Sequence, residues 1–273
     1  MFRVRGSKYS LMDAKSMGGR VTIVYSINDA IEIARKNPNF EIVHFAIGFE
    51  TTAPSTAAIL LSNPPRNFSI IPTHLLIPPV MSYLLNLGEI GIDGFICPGH
   101  VSTIIGVKPY LEISISNKVP MVIAGFEPLD VLFGVAMLID MINNGEFTVK
   151  NEYSRAVKFE GNVKAIQLMN EVFRVSDAYW RGIGLVPNSG LVLREEFSDF
   201  DAVKKFDIEV EEDYSMPKGC RCGDVLRGLI MPHECPLFSK SCTPDNPIGP
   251  CMVSSEGACS ILYKYGGYMY LKR

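Results

Sequence analysis

The pentapeptide Ala46-Ile47-Gly48-Phe49-Glu50 recurs in near form as Ile123-Ala124-Gly125-Phe126-Glu127. Each copy closes an apolar run rich in Val and Ile, and a proline, Pro54 or Pro128, follows close behind. A continuous apolar run reads as a buried strand, and proline soon after it suits the first turn of a helix. Two such turns predict an α/β fold of two related lobes, with mainly parallel sheets flanked by helices. Their strand ends are expected to face a shared cleft. Ligands of such sheets sit at the carboxyl ends of the strands, which makes Glu50 and Glu127 candidates for polar chemistry there. A plainer reading assigns the glycines to tight turns and the glutamates to helix N-terminal charge.

Working outward, the alternation continues. Residues 20–26, 41–48, 68–73, 94–97 and 119–124 read as strands, and 28–37, 53–62, 79–87, 101–113 and 129–143 as helices. Residues 162–179 predict the best amphipathic helix, with Val163, Ile166, Leu168, Met169, Val172, Phe173 and Val175 apolar. A glycine-rich turn, 181–190, is expected to end it. Its Gly182-x-Gly184 pair lacks the third glycine of a dinucleotide fingerprint and follows a helix, and neither a Walker A sequence nor a Gly-x-Ser-x-Gly elbow is present. The expected division is a first lobe over 1–66, a second over 67–197, and a connector with a cysteine-rich module over 198–273. Glu209, Glu211, Glu212 and Asp213 make the connector an exposed acidic stretch.

The chain has 273 residues, 47% hydrophobic and 20% charged, with a net charge of -3. That supports a full core, argues against disorder, and offers no basic bulk for nucleic acid or an acidic membrane. The first residues are polar, and no apolar run reaches the roughly 18 residues that span a bilayer. A cytoplasmic protein without nucleic-acid or membrane partners is the expectation.

Cysteine usage is lopsided. Of seven, only Cys97 precedes position 220; Cys220, Cys222, Cys235, Cys242, Cys251 and Cys259 crowd into the tail. A disulfide framework belongs across a small secreted chain, so this cluster reads as a metal, iron–sulfur or redox module. Pro232, Pro236, Pro244, Pro247 and Pro250 exclude long helices there, and a loop-rich segment with little apolar surface gains order from a bound metal or cluster. Paired Cys-x(2–4)-Cys zinc knuckles and ferredoxin spacing are both absent. Iron–sulfur, zinc and purely thiol–disulfide chemistry all remain open on spacing. Six thiols exceed by two what a four-ligand centre needs, and spare thiols beside a cluster suit a redox pair.

Longer motifs carry a resemblance. Residues 48–57 (GFETTAPSTA), 97–106 (CPGHVSTIIG), 124–132 (AGFEPLDVL), 180–191 (WRGIGLVPNSGL) and the tail from 219 to 259 resemble, in order, the HypD family of [NiFe]-hydrogenase maturation proteins. The resemblance implies a [4Fe–4S] cluster on cysteines spaced C-x14-C-x6-C-x16-C, which Cys220, Cys235, Cys242 and Cys259 match. It implies a redox-active dithiol/disulfide of Cys222 and Cys251 beside that cluster, relaying its electrons. It further implies a scaffold that, with a small HypC-type partner, holds the iron on which the Fe(CN)2CO moiety is assembled, with cyanide delivered by a HypE-type donor. Such a protein is a scaffold with redox activity rather than a free-standing turnover enzyme. The alternatives are a free-standing iron–sulfur thiol–disulfide reductase and a zinc-stabilised α/β protein.

Cys97, ahead of Pro98-Gly99-His100 at a strand end, is a candidate cleft group or else a small buried residue. Glu256, like Glu50 and Glu127, is a candidate for polar cleft chemistry or else a helix-capping or solvent-exposed group. His100 is a local hydrogen-bonding group, and His233, beside Cys235, supports a cluster ligand rather than binding the metal itself. The family pattern also leads one to expect a further N-terminal segment, with Cys-Gly-Thr-His-Thr and Gly-Pro-Gly-Cys-Pro-Val-Cys motifs, that does not occur here. Residues 1–7 look like an interior family segment.

Overall fold

Around the first Gly-Phe-Glu turn, β1 (Ile42–Gly48) runs parallel to β2 (Phe68–His74), pairing Ile42 with Phe68 and Gly48 with His74. The computed structural model describes residues 2–4, 6, 9–209 and 217–266; Glu211, Glu212 and Asp213 of the expected connector lie outside them. Ahead of β1 come α1 (Leu11–Ser16) and α2 (Ile27–Lys36). α2 begins where Ser26 and Asp29 cap each other, Asp29 Oδ2 accepting from the Ser26 N–H at 2.9 Å and Ser26 Oγ from the Asp29 N–H at 3.4 Å. Its Ile27, Ala30, Ile31 and Ala34 form the buried stripe. From β1 the chain enters α3 (Ala53–Leu61), which buries Ala53, Ala57 and Leu60. Gly48 sits at φ +136°, and a Cβ there would run into the Thr52 side chain. Glycine is what lets the strand turn directly into α3.

After α4 (Ile77–Leu85) the pattern repeats. β3 (Phe95–Pro98), α5 (Gly99–Ile105), α6 (Lys108–Asn117), β4 (Met121–Ala124), α7 (Pro128–Asn144) and β5 (Val149–Asn151) form a parallel sheet, in the order β3-β4-β5, with its helices. The second glycine does the same work as the first. A Cβ on Gly125 would strike the Asp130 carboxylate, which accepts from the Glu127 N–H at 3.4 Å and from Arg155 at 2.6 Å. Arg155 holds the Asp130 carboxyl below the usual range. All four β4 residues are buried, as a strand covered on both faces requires. β1 differs, because Val43, Phe45 and Ile47 show their side chains to solvent and helices cover only its other face.

Three expected elements come out differently. The helix over 162–179 stops early: α8 (Val163–Val172) gives way to β6 (Phe173–Trp180), antiparallel to β7 (Gly184–Leu193). The helical stripe through Val172 merges into an alternation of aromatic and β-branched residues, and β7 supplies the hydrogen bonds that decide for strand. The glycine-rich turn shrinks accordingly to residues 181–183. The helix over 101–113 breaks at Gly106, φ +77°, where the backbone of 159–161 comes too close for any Cβ. Residues 20–24 carry a strand-like sequence but pair with no strand, so they run as irregular chain.

β7 returns the chain to the first sheet, the Leu76 N–H donating to the Ser189 carbonyl at 2.8 Å. One core therefore joins Leu60, Phe68 and Ile70 to Val172, Phe173, Leu191 and Leu193. β2, α8 and the β6–β7 hairpin, all beyond residue 66, pack on the first core. Phe68 is fully buried there. Phe68→Ala is expected to cost about 3–5 kcal/mol, read as a lower urea midpoint, whereas a loss below about 1 kcal/mol would show that this core does not hold the lobe. The second core gathers Cys97, Tyr110, Met121 and Ile123.

A 3-10 turn (Glu195–Phe200) and α9 (Ala202–Lys205) lead to the tail. There α10 (Cys222–Leu226), a 3-10 turn (Pro232–Glu234), α11 (Pro250–Val253) and α12 (Ala258–Tyr265) are all short, as the prolines demand. Among the described residues no helix is long and apolar enough to cross a membrane.

Candidate functional site

Among the described residues the core of the tail is built largely of cysteine. Its buried centre is Cys222, Cys242, Cys251, Met252 and Cys259, backed by Leu226, Leu237, Phe238 and Ile248. All six tail cysteines line one small cavity, closed by Val225, Leu237, Phe238, Gly249 and Met252. Short local devices bring them there. Cys220 closes a turn with its N–H on the Pro217 carbonyl at 2.9 Å, and Cys222 opens α10. Cys235 ends the 3-10 turn, its N–H donating to the Pro232 carbonyl at 3.2 Å. Cys242 is held by an N–H bond to the Leu237 carbonyl at 2.9 Å, while Cys251 and Cys259 ride on α11 and α12.

Cys222 and Cys251 form a disulfide, with Cα atoms 6.2 Å apart; Cys220, Cys235, Cys242 and Cys259 are free thiols. Burial pushes the thiols of Cys220 and Cys259 up, Cys259 to about 11, and the neighbouring Cys235 and Cys242 sulfurs add to both shifts. Cys220, half-buried, and Cys259, buried, thus resist ionising beside neighbouring sulfurs in the absence of positive charge. Two backbone donors already point at sulfurs of this group: the Cys222 N–H at Cys220, and the Ile248 N–H at Cys242 Sγ, 3.4 Å away. The Arg181 charge also favours the Cys220 thiolate. A Cβ on Gly249 would stand 2.5 Å from Cys220 Sγ, so the bare glycine is part of the space around that sulfur.

Four free thiols lining one cavity are a soft donor set whose chemistry fits either a single zinc ion or an iron–sulfur cluster with one thiolate on each iron. Among the described residues no group of three or more His, Cys, Asp or Glu side chains is gathered so as to hold a metal ion.

The other candidates lie apart from this cavity. Cys97 is buried in the second core, where the lack of solvent pushes its thiol well up, which favours its packing role. His100 stacks on Phe126, centroids 4.0 Å apart, at the strand ends of the second sheet. The two Gly-Phe-Glu glutamates part company. Glu127 is exposed, 3.8 Å from Arg155. Glu50 is buried: Oε1 accepts from the Ile77 N–H at 2.9 Å, Oε2 has no partner among the described residues, and burial lifts its carboxyl to about 7. Glu256 is exposed on the loop between Cys251 and Cys259, and His233 is exposed beside Cys235. Gly249 was not singled out in the sequence, though a glycine next to Pro250-Cys251 was an available signal. The turn holding Arg181 and Gly182 was read only as a glycine-rich helix end, without its place beside the cysteines.

Comparison with known proteins places the chain in a family. The HypD family model, described as the hydrogenase formation hypA family, matches residues 1–266. A protein of Methanocaldococcus jannaschii whose name carries the words hydrogenase expression/formation is 51% identical over 269 residues, 97% of this chain and 74% of its own length. Hydrogenase maturation factor HypD2 of Bradyrhizobium diazoefficiens is 44% identical, over 98% of this chain and 73% of its own. Hydrogenase maturation factor HypD of Cupriavidus necator is likewise 44% identical, over 95% and 71%. A family match along nearly the whole chain, with relatives this similar, is decisive: the chain belongs to the HypD family of hydrogenase maturation factors.

Proposed function

We propose that this chain is a cytoplasmic scaffold and redox component for assembling the Fe(CN)2CO centre of [NiFe]-hydrogenase, working with a HypC-type small protein and a HypE-type cyanide donor. The observation that carries the reading is the division of the tail cysteines, four free thiols and one disulfide around a single cavity. Cys220, Cys235, Cys242 and Cys259 are the residues that would hold a [4Fe–4S] cluster. Such a cluster, when bound, supplies electrons one at a time to the neighbouring disulfide. The Cys222–Cys251 pair takes up two electrons and two protons as it opens to two thiols. Glu256, exposed on the loop that leaves Cys251, is the carboxylate we assign to exchanging those protons with solvent. The growing iron centre is cargo, received from and returned to the partner proteins.

The disulfide alone would also suit a free-standing iron–sulfur thiol–disulfide reductase. Anaerobic purification with iron, sulfide and zinc analysis, followed by capture with a HypC-type protein, separates the readings. Iron and sulfide in equal amounts, with retention of the HypC-type partner, are expected. A colourless preparation with zinc and no sulfide would end the cluster reading. A loaded chain that ignores that partner yet reduces disulfides would be the reductase.

A further inference from the structure

The turn between β6 and β7, residues 181–183, is tied to the first core yet reaches the disulfide of the tail. Gly182 lies at φ +93°, and a Cβ there would stand 2.7 Å from Pro250 Cγ and 3.6 Å from Cys222 Sγ. Gly223, the neighbour of Cys222, faces the same turn: its Cβ would stand 3.3 Å from the Gly182 carbonyl oxygen. One bare glycine thus meets both the residue before Cys251 and the sulfur of Cys222. The turn itself is braced from the other side. The Ile183 N–H donates to the Trp180 carbonyl at 3.0 Å, and the Trp180 indole N–H to Ser189 Oγ at 2.8 Å. The indole stacks on Phe49 of the first Gly-Phe-Glu turn, centroids 6.0 Å apart.

We propose that Gly182 is a positioning residue for the Cys222–Cys251 pair, pressing a braced hairpin turn against Pro250 and the Cys222 sulfur so that the cysteines stay at bonding distance. The inference rests on the redox-pair reading above. α10 and α11 have five and four residues. Helices that short hold no orientation of their own and take it from what they pack against. Reduction breaks the S–S bond, and two electrons and two protons yield two thiols. With an added dithiol as reductant, the reagent gives up the same electrons and protons and closes to its own disulfide. Two separate thiols need more room than a bonded pair, and the turn touching Cys222 must yield part of it. Trp180, the single tryptophan of the chain, reports that movement.

The test equilibrates the full chain, purified anaerobically, with mixtures of reduced and oxidised dithiothreitol, traps free thiols by alkylation and counts them by mass. Gly182→Ala is expected to shift the midpoint about tenfold toward the reduced pair, because the methyl displaces Pro250 or the Cys222 sulfur. Gly184→Ala is the matched control. Its φ of +109° demands glycine just as strongly, but a Cβ there meets nothing within 4 Å. Its midpoint is expected within about twofold of the parent. No shift in Gly182→Ala, or an equal shift in both variants, overturns the proposal. Should Gly182→Ala not fold, the parent chain decides through Trp180 emission. A change that tracks thiol release and shrinks in Phe49→Leu supports the brace, and emission constant through reduction overturns it. If dithiothreitol releases no thiol pair from the parent, the redox-pair reading fails and takes this inference with it. If it does release one and the two glycine variants behave alike, only the positioning role is lost.

Discussion

Cys235→Ala is expected to yield a purified chain without the brown chromophore and with iron near zero, against about four irons per chain in the parent. In the reading proposed above each of the four free thiols lining the cavity holds one iron, so Cys235→Ala leaves only Cys220, Cys242 and Cys259 for a four-iron core. Losing one ligand therefore removes the whole site. Cys222→Ala should behave differently. Its sulfur belongs to the disulfide, so the chromophore stays while the pair of thiols released by reductant disappears. Absorption near the cluster bands, iron analysis and thiol counting read both variants. Equal loss of colour in the two would contradict the assignment of Cys220, Cys235, Cys242 and Cys259 as the ligand set.

The second large effect is on stability against pH, and it comes from the first lobe. Burial lifts the Glu50 carboxyl from 4.5 to about 7, so between those values the folded chain keeps a proton that the unfolded chain has released. Its contribution is full below about 4.5 and is lost as pH rises through 7. His74 acts in the opposite sense. Burial, and then the nearby His44, lower its imidazole from 6.5 to about 4, while Nε2 contacts Thr56 Oγ1 at 3.3 Å. Its contribution is full above 6.5 and is lost as pH falls through 4. Each shift corresponds to about 3 kcal/mol. Between 4.5 and 6.5 the two slopes oppose each other, and the parent chain should be nearly flat.

Glu50→Gln keeps an oxygen for the Ile77 N–H and removes one slope, so that variant should lose up to about 3 kcal/mol between pH 7 and 4.5. His74→Gln should gain over the same range. Urea midpoints across this window check both. Variants that follow the flat parent profile would show that neither group titrates as its burial requires.

Legibility differed from part to part. The apolar runs around Gly48 and Gly125 announced the parallel strands β1 and β4. For β4, buried on both faces, an apolar run is required, whereas β1 is apolar although one of its faces is open to solvent. The helical spacing of Ile31, Ile33 and Ala34 announced α2, while its Ser26 cap is visible only in the structure. The stretch from Phe173 to Trp180 was misleading because its apolar residues continue a helical stripe for one more turn. Only β7, eleven residues beyond Phe173 at its first residue, settles the matter. In the tail, six cysteines and five prolines were readable as a cluster-type module, but the spacing left its chemistry open. Glu50 and Glu127 looked alike in sequence, yet one is buried and the other exposed, since only the first is covered by α4 through the Ile77 N–H.

By itself the sequence determined the α/β class, the doubled strand-to-helix turn, the loop-rich character of the tail and the family. These depend on residue type and local spacing, which a linear chain displays in full. Tertiary structure alone decided that residues 163–193 rejoin the first core, and that a hairpin glycine meets the sulfur of Cys222. It also decided that Cys222 and Cys251 bond while four thiols stay free. Those are contacts between segments far apart in the chain, and their energy depends on which surfaces meet, a quantity no local pattern encodes.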